Sequence, residues 1–394
     1  MKYGWGCSFI LIPFLGYGIS FNDLSERAYS VSEEMIQSNG RINTIGFEKA
    51  SAMASEPINI ETSARKIRAD DSADSGREYG VMVDYSLKNP LVRSAQEHEF
   101  ELLKKGIQHE IATQKGQIQI SLKRNWLLYG LEQERGSILI QKRDFSHKAY
   151  LTGEKKFKAG RLSQMELLRL ESEYRTTLQE VAAALMEAEH AQYRLREAAM
   201  MKDEVIIDDM EFTFIQSSAL DDRLRETPLL KSLDNRIEAL DGAIATLRHS
   251  TIESVSIGVG MTQEPTQSSV DFRLTIPLAF SSKNENKIAA LMSERSALVH
   301  LREVSKQKLQ LSVAGLVEHL GEREERIRVL RENEKHYETL FAMAQKGYEG
   351  GVMGQFEYLA SKNAYYDARL RTLELKQSYI QEMAEIEEKI GRIW

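Results

Sequence analysis

Tyr79-Gly80-Val81-Met82-Val83-Asp84-Tyr85-Ser86-Leu87-Lys88 decides how the rest of this chain is read. Tyr79, Val81, Val83, Tyr85 and Leu87 fall on one side of an extended backbone, while Gly80, Met82, Asp84, Ser86 and Lys88 fall on the other. Strict period two over this length signals a strand, because side chains alternate across a pleated backbone. The pattern recurs far downstream. Val270, Phe272, Leu274, Ile276, Leu278 and Phe280 share a face, opposite Asp271, Arg273, Thr275, Pro277 and Ala279. Each strand has a weaker partner upstream. Ile58, Ile60, Thr62 and Ala64 alternate with polar neighbours, and Val255, Ile257, Val259 and Met261 alternate with Ser256, Gly258, Gly260 and Thr262. Polar stretches at 70–76 and 263–269 separate the partners, which predicts two hairpins, over 57–88 and 252–280. Strands of about ten residues match the ~9–11 that a tilted strand needs to cross a bilayer. A soluble sheet with one wet face has the same alternation.

Working outward, residues 1–20 read as a secretory signal peptide. Lys2 supplies a positive start, the run Phe9 to Leu15 an apolar core too short to span, and Gly18-Ile19-Ser20 small residues at a cleavage site. Cleavage would remove Cys7, the one cysteine among 394 residues. Cys7 precedes the apolar run, so no lipid anchor is expected. Export favours the membrane reading of the strands and places the chain where there is no ATP; no Gly-rich phosphate loop is present either.

Elsewhere the chain reads as helix. Only 6 prolines occur, and the stretches 91–156 and 284–346 contain none. Helices of that length rise about 90–100 Å, so they call for coiled-coil or helical-barrel packing. Leu359, Tyr366, Leu373 and Ile380 step by seven, with Leu370 and Ala384 on the interleaved seam. Leu309, Val313, Leu316, Leu320, Ile327 and Leu330 step by three, four or seven. Such spacing predicts side-by-side helices with a shallow left-handed supercoil. Asn363 and Gln377 interrupt the seam.

The chain is duplicated with an offset of 191 positions. Phe157-Lys158-Ala159-Gly160 aligns with Tyr348-Glu349-Gly350-Gly351, Gln164 with Gln355, Glu166 with Glu357 and Leu168 with Leu359. The same offset pairs Val83 with Leu274, Tyr85 with Ile276 and Leu87 with Leu278. The unit is hairpin, long helix, Gly turn, long helix, used twice. The first repeat spans 21–200, with an N-terminal helix and a tip near 157–163. An equatorial linker follows at 201–227, and the second repeat spans 228–394 with its tip near 348–354. A straight helix would put each tip about 100 Å from its hairpin. The final Trp394 follows a helix and reads as an equatorial packing residue.

The composition excludes several function classes. Lys plus Arg is 52 against Asp plus Glu 59, a net charge of -7 without a strongly basic block, which points away from nucleic acid. The 8 histidines are scattered without metal-ligand spacing, and no catalytic constellation is legible, so neither a metal, a cofactor nor an enzymatic activity is expected.

Signal peptide, paired hairpins, the repeated aromatic-x-x-Gly turn and Glu226-Thr227-Pro228-Leu229-Leu230 before a helix together resemble the TolC-like outer-membrane efflux family, over essentially the whole mature chain. Within it the chain looks most like the heavy-metal cation efflux branch. The resemblance implies a mostly α fold with a small β part. In the homotrimer, four strands per chain would form one outer-membrane β-barrel of a Gram-negative cell. That barrel would be continued by a long periplasmic α-helical barrel. It implies a passive exit duct of a tripartite efflux system. The partners would be a periplasmic adaptor (membrane fusion) protein and an inner-membrane pump of the resistance-nodulation-division type. Tyr79, Val81, Val83, Tyr85, Leu87, Phe272, Leu274, Ile276 and Leu278 would face lipid, and Asp84, Asp271, Arg273 and Thr275, with Lys88, the pore. Asp271 and Arg273, two apart on one face, would pair with each other. Gly160, Arg161, Leu162 and Ser163, with Gly351, Val352, Met353 and Gly354, would form the adaptor-contact tips, where exposed Leu162, Val352 and Met353 offer an apolar contact. Glu166 and Glu357 would line the entrance as an acidic ring with raised pKa values and an affinity for cations, or else lie on an ordinary solvated helix face. Other readings are the outer-membrane component of type I protein secretion, a periplasmic adaptor and a structural coiled-coil protein. The substrate is not legible.

Overall fold

A computed structural model describes residues 20–67, 76–202, 212, 214, 224, 226–250, 252–264, 267–277 and 283–393. The signal peptide, the first hairpin turn, most of the equatorial linker, Leu278, Phe280 and Trp394 lie outside the described residues. The element order is α1 (Phe21–Val31), α2 (Glu33–Met53), β1 (Asn59–Ile67), β2 (Gly76–Lys88), α3 (Pro90–Lys158) and α4 (Gln164–Ala198). The second repeat follows with α5 (Pro228–His249), β3 (Ser254–Gln263), β4 (Ser268–Thr275), α6 (Lys283–Glu349) and α7 (Gln355–Ile390). α3 and α6 hold 69 and 67 residues, as their lack of internal proline predicts. None of these helices is apolar enough to cross a membrane.

The described residues divide into two compact units: Glu33–Gln114 with Asp221–Leu311, and Met1–Ser32 with Lys115–Leu220 and Ser312–Trp394. In the first, the four strands make one antiparallel sheet in the order β1-β2-β3-β4. The two repeats meet at its centre, where β2 pairs with β3 and Val83 lies opposite Val259. Asn89 locks the lower end: its N–H and its side-chain Nδ2 donate to the carbonyls of Glu253 and Ile252, each at 2.9 Å. Lys88 Nζ donates to the Ala52 carbonyl at 2.8 Å. α2 is held along α3 by Lys49 to Glu101 at 2.7 Å and Arg41 to Glu110 at 2.7 Å. α5 is held along α6 by Asp234 to Arg302 and by Asp241 to Arg295.

In the second unit the core is a run of small clusters along the helices. Leu24 and Ala28 of α1 pack with Leu122, Trp126 and Tyr129 of α3 and Ala191 and Leu195 of α4. Further along α3, Leu139 meets Val181 and Ala184. The expected seam of α7 is buried at Tyr366, Leu373, Ile380 and Ala384 and half-buried at Leu359 and Leu370; that of α6 is buried here at Val313, Leu320 and Ile327 and half-buried at Leu316 and Leu330, while its Leu309 is buried in the first unit. Aromatic rings carry the core toward the helix ends: Phe145 meets Phe341 edge-on at 5.3 Å, and Tyr348 stacks on Tyr358 at 4.8 Å.

Candidate functional site: the sheet faces and the helical tips

The sheet register carries the alternation of each strand across all four. On one face Ile60, Val83, Val259 and Phe272 form a continuous row. Thr62, Val81, Met261 and Val270 form the next, and Tyr85, Ile257 and Leu274 another. These side chains are exposed, up to 82% at Phe272. Ile276, just past β4, is exposed as well. Among the described residues, nothing covers this face.

The opposite face is polar, and its geometry corrects one expectation. Arg273 and Asp271 do not pair with each other. Arg273 Nη1 lies 3.2 Å from Glu61 Oε2 and 3.7 Å from Asp84 Oδ2. Asp271 instead accepts a hydrogen bond from Thr262 Oγ1 at 2.7 Å. Asp84 is nestled against Gly258, where an added Cβ would sit 2.0 Å from its Oδ1. Thr275 is exposed at the end of β4, and Lys88 is drawn toward Ala52 and Glu56.

The two tips are built alike. At the end of α3 the Gly160 N–H donates to the Phe157 carbonyl at 2.9 Å and the Arg161 N–H to that of Lys156 at 2.8 Å. At the end of α6 Gly351 donates to Tyr348 at 3.2 Å and Val352 to Gly347 at 2.9 Å, 191 positions on in every case. This double bond is the Schellman closure, which needs a left-handed residue just past the helix. Gly160 and Gly351 supply it with φ of 71° and 75°. Val352 is 91% exposed, but Leu162 is half-buried against Gly153 and Met353 half-buried against Gly347. The exposed apolar contact expected of all three thus belongs to Val352 alone. Met165, Leu168 and Phe356, which sequence reasoning passed over as contacts, are exposed near the starts of α4 and α7. Their placement within the first five residues of the following helix was the available signal. The tips are tied together by Gln355, whose Nε2 donates to the Glu166 carbonyl at 3.0 Å.

Glu166 and Glu357 stand at the first turns of α4 and α7 and are engaged locally. Glu166 Oε2 accepts from the Ser163 N–H at 2.9 Å and from Ser163 Oγ at 2.7 Å, while Ser163 Oγ accepts from the Glu166 N–H at 3.3 Å. That is a capping box, readable in Ser163-Gln164-Met165-Glu166. Glu357 makes the matching half, accepting from the Gly354 N–H at 3.3 Å; glycine has no side chain for the return bond. The side-chain and backbone hydrogen bonds from Ser163 hold the Glu166 carboxyl below its usual range. Within one chain, therefore, its shift runs opposite to the rise expected of a crowded ring.

A second polar cluster escaped the sequence reading. Lys362 of α7 is fully buried, donating to Ser146 Oγ at 2.7 Å and to Glu173 Oε1 at 2.8 Å. Burial pushes its ammonium down, and the bond to Glu173 restores only part of that. Burial would push the Glu173 carboxyl up, but the bond and charge of Lys362 outweigh it and leave it below its usual value. Seven and fourteen residues on, Arg369 reaches Gln141 at 3.0 Å and Lys376 reaches Glu134 at 3.3 Å.

Residues 235–392 match the family model for the outer membrane efflux protein. Over 94% of this chain and 92% of the other, the structure superposes on CusC, whose study concerns folding and transmembrane channel formation, with a TM-score of 0.72 at 13% identity. The chain has the TolC-like outer-membrane channel fold. The OprN outer-membrane channel gives 0.70 at 14% identity over 94% and 89% of the two chains. VceC, an outer membrane protein of Vibrio cholerae, gives 0.68 at 11% over 95% and 96%. No curated protein matches the sequence. At these identities the likeness concerns the channel fold, and it singles out no branch of the family.

Proposed function

We propose that this chain is the exit duct of a tripartite efflux system, a homotrimer in the outer membrane that extends into the periplasm. It conducts substrates passively from an adaptor and an inner-membrane pump. The observation that carries the reading is the apolar face running in register across β1 to β4. Such a face needs lipid or another apolar surface against it. In lipid, the unpaired outer edges of β1 and β4 would each cost several kcal/mol per exposed backbone group. Four strands are too few to close on themselves. Three copies joined β4 to β1 remove every edge and leave the polar face, with Asp84, Asp271, Arg273 and Thr275, around a wet lumen. In this reading Tyr79, Val81, Val83, Tyr85, Leu87, Phe272, Leu274 and Ile276 meet lipid.

The tips receive the adaptor. Val352, Phe356, Met165 and Leu168 offer it an apolar contact that the chain itself leaves open. Energy comes from the pump, since no nucleotide-binding feature is present in the sequence. The periplasmic adaptor reading loses ground to the single four-stranded sheet and the family match of the second half. The test is fractionation: the chain should migrate from outer-membrane fractions as a heat-modifiable trimer. A monomer in the detergent-free soluble fraction would end the reading.

A further inference from the structure

The polar face of the sheet holds one guanidinium among three carboxylates where β3 carries its glycines. Arg273 lies on β4 and Glu61 on β1, the two outer strands of the sheet. Their side chains nevertheless meet at 3.2 Å, with Asp84 of β2 at 3.7 Å from the same nitrogen. Two strands, β2 and β3, lie between them, so the contact needs the polar face to be concave and β3, beside Arg273, to be bare. Gly258 provides the bare point. It is the register partner of both Asp84 and Arg273, and an added Cβ would lie 2.0 Å from Asp84 Oδ1 and 3.3 Å from Arg273 Cβ. Asp271 is occupied separately by Thr262. Arg273 remains 48% exposed, so the bridge lies on the face and not within it.

We infer that Arg273, drawn across the polar face by Glu61 and Asp84 over Gly258, sets both the width and the ion selectivity of the lumen. This rests on the conduit reading above. Each copy would contribute one guanidinium and three carboxylates at this level, so the lumen favours cations and Arg273 is the restraint on that preference. Charges lining a narrow aqueous path control which ions concentrate there. A side chain held between strands narrows the path more than one lying along its own strand.

Purified trimers in planar bilayers under a potassium chloride gradient test this. Arg273→Gln should move the reversal potential toward the potassium equilibrium value and raise single-channel conductance. Glu61→Gln should move the potential the other way. In the Glu61→Gln background, adding Arg273→Gln should no longer raise conductance, because the bridge is already open. Arg273→Lys keeps the charge but loses the longer guanidinium whose Nη1 lies between Glu61 and Asp84; it should keep the wild-type potential and gain conductance, and it carries the test if the Gln variant does not assemble. An equal conductance gain in both backgrounds, or no change in Arg273→Gln or Arg273→Lys, overturns the inference alone. Wild-type protein that forms no channel overturns the conduit reading with it.

Discussion

Glu166 shows how a residue can look functional and be holding up its own helix. Its carboxylate closes a reciprocal box with Ser163 and lies on a half-exposed turn. Ser163→Ala removes one side of that box and should cost about 1 kcal/mol, read as a lower melting temperature of the assembled protein. Lys362 is the opposite case, a charge with no access to water. Lys362→Ala strands the Glu173 carboxylate and should destabilise by about 3–5 kcal/mol, whereas Lys362→Met with Glu173→Leu should be close to neutral. The pH dependence follows from the directions of shift. Glu173 is lower in the folded chain than its ordinary 4.5, so the unfolded chain binds its proton more readily. Its stabilisation is fully present above pH 4.5 and is lost as the pH falls through the lowered folded value. Lys362 is below its ordinary 10.5 when folded, so stability should rise with pH between that lowered value and 10.5. Melting curves across pH should lose the acid limb in Glu173→Gln and the alkaline rise in Lys362→Met.

At the scale of elements, strands and tips were legible because their signals are local. Period two places Val83 and Leu274 on the uncovered face, and the glycines at 160 and 351 mark left-handed positions. What escaped was set by neighbours distant in sequence. Arg273 was read against Asp271 because the two are close along one strand; the register and Gly258 send it to Glu61 instead. The basic residues at 362, 369 and 376 step by seven, on the same seam as Tyr366 and Leu373, but an apolar reading of heptads passes over them. Each reaches a residue of α3, Ser146, Gln141 and Glu134 in turn, which fixes the register of the two helices in a way an apolar seam alone would not. Two tests belong here. Leu274→Arg puts a charge on the lipid face at a cost of about 2–4 kcal/mol near the midplane, and trimer yield in the outer membrane should fall sharply. Val352→Glu should leave folding intact and abolish transport, read as lost resistance in a deletion strain. Leu162→Glu should instead lower stability, because Leu162 packs on Gly153.

At the scale of the whole molecule, the duplication was readable because turns and strands keep one offset, and the structure repeats it down to individual hydrogen bonds at the tips. Unlike the strands, association is not written in any local pattern. The need for it follows from counting: β1 and β4 each have one neighbour among the described strands, and a bilayer tolerates no open edge, whereas the number of copies, three in the proposed duct, does not follow from that count. Dilution of purified protein in detergent should therefore give trimer or aggregate without a stable folded monomer.

If the chain is the proposed outer-membrane duct, Phe272, with 82% of its surface bare, has a consequence for the life of each newly made copy on its way there. Until it meets its siblings it carries a sticky flank and two sheet margins open to pairing with any passing strand. Delivery across the periplasm then calls for an escort that shields that flank. Cells making too much of this polypeptide should betray it first through envelope stress and insoluble deposits, before any leak of solutes.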